Sequence, residues 1–124
     1  MNKNEASVAK AVWNLPELLD RVDNDQELLR ELLTIFKEDF PRTLRALESA
    51  VAGGDWKNAA SLSHALKGML SNLGGTRAAA AAAKLEESAS AGDMILAREA
   101  MGELESEAAN LLPELDAYMT EVRR

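Results

Sequence analysis

The chain has 124 residues, 47% of them hydrophobic and 28% charged, with a net charge of −7. That is the scale of one domain, and the apolar fraction excludes a disordered segment. With a pI near 4.7, the chain repels phosphate-rich surfaces, so neither nucleic acid nor anionic membrane is an expected partner. There is no cysteine and a single histidine. Disulfides, thiolate zinc sites, cysteine nucleophiles and His-rich metal centres are therefore excluded, and a reducing compartment fits. No apolar run approaches the roughly 20 residues of a membrane span. Met1 to Val12 contains no uninterrupted apolar stretch of the signal-peptide kind. A cytoplasmic location is the expectation.

Ala and Leu dominate while aromatics reach only 4%, a mixture that favours helices over a sandwich or barrel. Residues 1–12 show no periodic face and read as a flexible tail or linker. A short helix follows from about Asn14 to Val22, with Asn14 as cap and Pro16 in its first turn. Asn24 or Asp25 opens a second helix, and Asn24 with Glu27 has capping-box spacing. Its stripe runs Leu29, Leu32, Leu33, Phe36, Phe40, Leu44, Leu47, Val51, in steps of three and four. Pro41 lies inside that stripe and predicts a kink, and Gly53-Gly54 stops the helix.

Asp55 caps a third helix reaching about Leu73, with the stripe Ala59, Leu62, Leu66, Met69, Leu73. Gly74-Gly75 ends it. Thr76 is the expected cap of a fourth helix to about Ser90, which carries six consecutive alanines from Ala78 to Ala83. Gly92 and Asp93 give a stop and a new start. The last helix spans about Met94 to Val122, with Ala97, Met101, Leu104, Ala108, Leu111, Leu115, Tyr118 and Val122 on one face and a kink predicted at Pro113. No segment alternates with period two. The fold class is therefore all-α: an antiparallel up-down-up-down four-helix bundle over 13–124, with a short extra N-terminal helix. The second and fifth helices, at about 40 Å each, should outlast the two middle ones.

His64 raises the functional question. On a helical wheel the stripe Leu62, Leu66, Met69, Leu73 falls within about 40° of Leu62, while His64 lies about 160° away. Its imidazole should face water. Around it stand Ala60, Ser61, Lys67 and Gly68, and one turn further Lys57, Ser71 and Gly75. Apart from the lysines this ring is small. Gly68 in a helix interior costs about 1 kcal/mol relative to Ala. Clearance for another protein's active site is a reason to keep it. An open imidazole beside a cation suits a group that accepts and releases phosphoryl.

Ser63-His64-Ala65-Leu66-Lys67-Gly68, followed by Leu73-Gly74 and by Leu85-Glu86, resembles the histidine phosphotransfer (Hpt) domain of two-component phosphorelays. The stretch Leu28 to Phe40 and the turn Gly54-Asp55-Trp56 fit the same family, and the likeness covers about residues 13–124. Ser63 stands where Ala is common, a small-for-small change. The resemblance implies that His64 is the residue phosphorylated on Nε2. It implies that Lys67 supports the phosphoryl group, that Gly68 admits the partner and that Glu86 orients the imidazole, while Gly74 is structural.

Implied partners are response-regulator receiver domains and a hybrid sensor histidine kinase. The Mg²⁺ comes from the receiver; the chain has no cofactor or metal site of its own. Such a carrier is not an enzyme with turnover. Lys57, Lys67, Arg77 and Lys84 are expected to form a basic patch toward acidic partners, with Ala60, Ser61, Ser71 and Gly75 completing the contact face. Glu99, Glu103, Glu105 and Glu107 read as a solvated acidic face. Two other readings compete. One is a helical adaptor that binds receiver or other signalling domains without transfer. The other is a kinase dimerisation domain, which a monomer closing its own four-helix core opposes.

Overall fold

The computed structural model describes residues 12–122, so the tail expected over 1–12 lies outside it except for Val12, which is half-buried against the core. Five helices follow in order: α1 (Leu15–Arg21), α2 (Gln26–Ala52), α3 (Trp56–Leu73), α4 (Thr76–Ser90) and α5 (Met94–Val122). Among the described residues there is no strand. α2 and α5, at 27 and 29 residues, outlast α3 and α4, at 18 and 15. Both long helices continue through their prolines, Pro41 and Pro113.

The breaks between helices come from local chemistry. Asn14 caps α1 by accepting from the Glu17 amide, and Pro16 sits in the first turn. Asp25 alone caps α2, accepting from the Leu28 amide at 3.0 Å. Asn24 does not build the expected capping box. It lies with Asp23 in the left-handed region (φ 59° and 56°), a conformation Asn and Asp tolerate better than bulkier residues. Gly75, not Thr76, holds the N-cap position of α4 and offers no side-chain cap. Because the Gly74-Gly75 turn is so short, Thr76 is already helical.

α2 packs on α3, α3 on α4, α4 on α5, and α5 returns onto α2. The core is mainly aliphatic, built on Leu29, Leu33, Leu47, Leu66, Leu70, Leu85, Leu104, Leu111 and Leu115 together with Phe40, all fully enclosed. Phe36 and Phe40 stack at 4.8 Å between ring centroids. α4 contributes mostly methyl groups: Ala78, Ala79, Ala81, Ala82 and Ala89 are buried. Small side chains bring α4 close to both neighbours, which keeps packing dense without aromatic bulk.

The structure corrects two of the expected stripes. Leu32 is 39% exposed and Leu44 only half-buried. On α3 the buried direction is turned away from Leu62 and Met69, both half-buried, toward Ser63 and Leu70. α3 is wedged between α2 and α4, so its core face points between them. Ser63 enters the core by donating to the Ala59 carbonyl at 2.6 Å, which satisfies its only donor.

α1 fastens the far end of α3. The Trp13 indole donates to the Leu73 carbonyl at 3.0 Å, and the Asn14 amide to the Gly74 carbonyl at 2.8 Å. Arg21 donates to the carbonyls of Ser71 and Asn72 in the last turn of α3. Trp13 also meets Tyr118 edge-on, and the Tyr118 hydroxyl reaches Gln26 at 2.6 Å. Gly74 closes α3 with φ 89°, and a Cβ there would stand 2.8 Å from the Asn14 carbonyl oxygen. Gly74→Ala should therefore cost about 1–2 kcal/mol from the left-handed backbone alone. Urea titration followed by circular dichroism would register the drop.

The acidic face of α5 is less uniform than its composition implies. Glu107 pairs with Arg77 and Glu103 with Lys84. A hydrogen bond to Glu48 of α2, then partial burial, then repulsion from Glu48, push the Glu105 carboxyl upward. A carboxyl so raised binds its proton more tightly when folded. Its contribution favours folding at low pH and is lost as pH rises through the raised value. At neutral pH, Glu105→Gln should stabilise the fold, by about 0.5 kcal/mol or less because solvent screens the pair. That gain should fade as pH falls below the ordinary carboxyl range, where Glu105 is protonated in both states, which melting curves across pH would show.

Candidate functional site

The imidazole of His64 stands on the outer face of α3, with 71% of the side chain exposed. Asp55 starts this helix by accepting from the Asn58 amide. Buried Ser63 and Leu66 on either side of His64 hold its backbone in place. The ring's Nδ1 lies 2.9 Å from Glu86 Oε2, across the seam between α3 and α4. Leu85, fully enclosed beside Glu86, anchors that stretch of α4. A carboxylate only accepts, so Nδ1 is the donor of this bond, and in the neutral ring the lone pair is then on Nε2, the nitrogen Glu86 leaves free. The other oxygen of Glu86 is 3.8 Å from Lys67 Nζ. One carboxylate thus joins the imidazole and the ammonium.

Gly68, one turn on from His64, is exposed, and a Cβ built there meets nothing within 4 Å. The glycine is not forced by packing; it leaves open space beside the ring. Beyond it the surface becomes apolar. Leu32 and Ile35 of α2 face Met69 and Asn72 of α3 across a groove floored by Phe36 and Leu73. Ile35 is 55% exposed and Leu28, one turn before Leu32, is 40% exposed. Leu28, Leu32 and Ile35 form a ridge; the single-stripe reading of α2 left out Leu28 and Ile35 and put Leu32 on the buried face. Its signal was in the sequence: apolar residues at 28, 32 and 35 alongside 29, 33 and 36 are more than one buried stripe consumes.

The other expected contact residues divide. Lys57, Ser61 and Ser71 are exposed and Ala60 is half-buried, all on α3. Lys57 and Ala60 border a shallow hollow toward the end of α4. Gly75 is buried instead; a Cβ there would meet Leu111 at 3.0 Å, so its smallness serves helix packing. Arg77 and Lys84 do not join Lys67 in a basic patch. On α4 they sit about 180° and 160° around from Glu86. They turn instead to α5, where Arg77 bonds Glu107 at 3.1 Å and Lys84 bonds Glu103 at 3.3 Å. Lys67 is the cation that shares a partner with His64. Trp56 is half-buried, with Arg98 5.9 Å above its ring. Among the described residues no three His, Cys, Asp or Glu side chains gather as a metal ion requires. Nor is any helix among them long and apolar enough to cross a membrane.

The family model for the Hpt domain matches residues 31–124, most of the chain. The chain belongs to the Hpt domain family. Hpt domains carry phosphoryl groups on a histidine within phosphorelays, and their partners are components of two-component systems. In this Hpt domain the match begins inside α2 and takes in α3, α4 and α5, and with them the His64–Glu86–Lys67 cluster. Neither a curated protein nor a solved structure matches the chain.

Proposed function

We propose that His64 accepts a phosphoryl group from the phosphorylated aspartate of a receiver domain and passes it to another receiver. The observation that carries this reading is the exposed imidazole whose Nδ1 is held by Glu86, which leaves Nε2 free. The Nε2 pair attacks phosphorus, the N–P bond forms, and the P–O bond to the aspartate breaks with its electrons leaving on that carboxylate. Lys67 supports the phosphoryl oxygens, and Mg²⁺ arrives with the receiver. The chain acts as a carrier without turnover of its own, so positioning and charge do the work.

Docking uses two surfaces. Gly68, Ser61 and Ser71 give a low rim around His64. The Leu32–Ile35–Met69 groove supplies the apolar part of the contact, where exposed large side chains mark a partner site. Lys57 and Lys67 are the cations offered to an acidic pocket. The bundle is read as antiparallel, up-down-up-down: Arg77 pairs with Glu107 and Lys84 with Glu103, so positions that rise on α4 fall on α5. A monomer over 13–124 working in the cytoplasm, fed by a hybrid sensor kinase, completes the proposal.

The test is intact-mass spectrometry of the chain mixed with phosphorylated receivers and Mg²⁺. An acid-labile gain of one phosphoryl group supports the carrier reading. No gain from receivers shown to be phosphorylated would leave a non-transferring adaptor. Ile35→Asp should keep the fold, since this side chain is exposed. Burying an unpaired carboxylate in the contact should weaken receiver binding about tenfold or more, read by titration calorimetry.

A further inference from the structure

Glu86 holds the imidazole with one oxygen and approaches Lys67 with the other, at 2.9 and 3.8 Å. An amide could align a ring as well as a carboxylate does. What the carboxylate adds is negative charge at the ring nitrogen that takes no part in bond making. We infer that Glu86 is a positioning residue that keeps the phosphoryl group transferable, by compensating the positive charge of a phospho-imidazole that retains its Nδ1 proton. The inference rests on the carrier reading for its purpose, though not for its chemistry.

Neutral His64 bears hydrogen on Nδ1 and a lone pair on Nε2. When that pair forms the N–P bond, the ring holds both the proton and the phosphorus and becomes cationic. Release is the reverse. An incoming oxygen, from water or a carboxylate, bonds to phosphorus as the P–Nε2 bond breaks and its electrons return to Nε2. If Nδ1 has kept its proton, neutral imidazole departs. If Nδ1 has lost it, imidazolate would have to depart, a far poorer leaving group. A carboxylate 2.9 Å from Nδ1 favours the protonated ring through a charge-assisted hydrogen bond. Lys67 restrains that carboxylate from its other oxygen. Gly68, one turn on, brings no side chain to the ring.

The experiment loads His64 chemically with phosphoramidate, so no receiver is needed, in the wild type, Glu86→Gln and Glu86→Ala. Loss of the phosphoryl group at neutral pH is followed by intact mass, and ³¹P and ¹⁵N spectra locate it on the ring. Glu86→Gln keeps an acceptor oxygen and removes the charge; Glu86→Ala removes both. Both variants should hold the phosphoryl group about threefold to tenfold longer than the wild type, the range expected of a charge-assisted hydrogen bond that is partly exposed. Equal or shorter lifetimes in the variants would overturn the inference. So would Glu86→Gln matching the wild type while Glu86→Ala does not, since Glu86 would then act by alignment alone. Phosphorylation of the wild type on Nδ1 would overturn it too. A receiver panel that transfers nothing would sink the carrier reading instead and leave this decay series readable.

Discussion

A His64→Gln chain should gain no phosphoryl group from any receiver that loads the wild type, and should melt within about 0.5 kcal/mol of it. The two halves of this expectation come from the same geometry. His64 is 71% exposed, and its side-chain partner is a single carboxylate on the neighbouring helix. Surface pairs of this kind contribute about 0–1 kcal/mol, so removing one barely moves stability. A glutamine amide nitrogen has its lone pair delocalised into the carbonyl and does not attack phosphorus. Intact mass after incubation with receivers reads the first half, and thermal melting by circular dichroism the second. A marked fall in melting temperature would make the imidazole structural.

Such a separation of site from scaffold was legible because helical periodicity is a long-range signal. The stripe of α3 puts His64 on the outer face even though its centre was misplaced. Leu62 and Met69 are half-buried and Leu70 is the enclosed residue, yet the imidazole still points out. Turns marked by Gly and Asp were equally readable, since Asp25, Asp55 and Gly74 act through their own backbone neighbours. What the sequence hid depends on pairs of helices. Nothing local to Arg77 or Lys84 says that Glu107 and Glu103 lie opposite. Gly75 looks like another small surface residue until Leu111 is known to press on it. The ridge at Leu28, Leu32 and Ile35 was written in the sequence as a surplus of apolar residues. Which of them a neighbour covers is decided by α3, not by α2 itself. Glu86 lies between these cases: the family resemblance pointed to it, while its hold on both His64 and Lys67 needed the fold.

Gly68→Gln should make the domain more stable and the transfer slower. Gly68 is helical, and a Cβ there meets nothing. Glycine is therefore a pure cost to the helix, and replacing it should raise stability by about 0.5–1 kcal/mol. The added side chain would occupy the open space one turn from the imidazole, where a receiver must bring its aspartyl phosphate in line with Nε2. A misplacement of about 1 Å at the reacting atoms costs on the order of a hundredfold, so transfer from a receiver should slow by about that factor. A small phosphoryl donor such as phosphoramidate needs no docking face and should still load the variant at close to the wild-type rate. Urea titration, receiver transfer and chemical loading together separate the possibilities. A fall in stability together with loss of both receiver transfer and chemical loading would mean a damaged fold. Unchanged receiver transfer in a stabilised chain would mean that the docked receiver does not pass over Gly68. Stability gained, chemical loading retained and receiver transfer lost is the combination that places the docking face on the open side of α3. A residue kept against its own helix propensity is then explained by what must approach it.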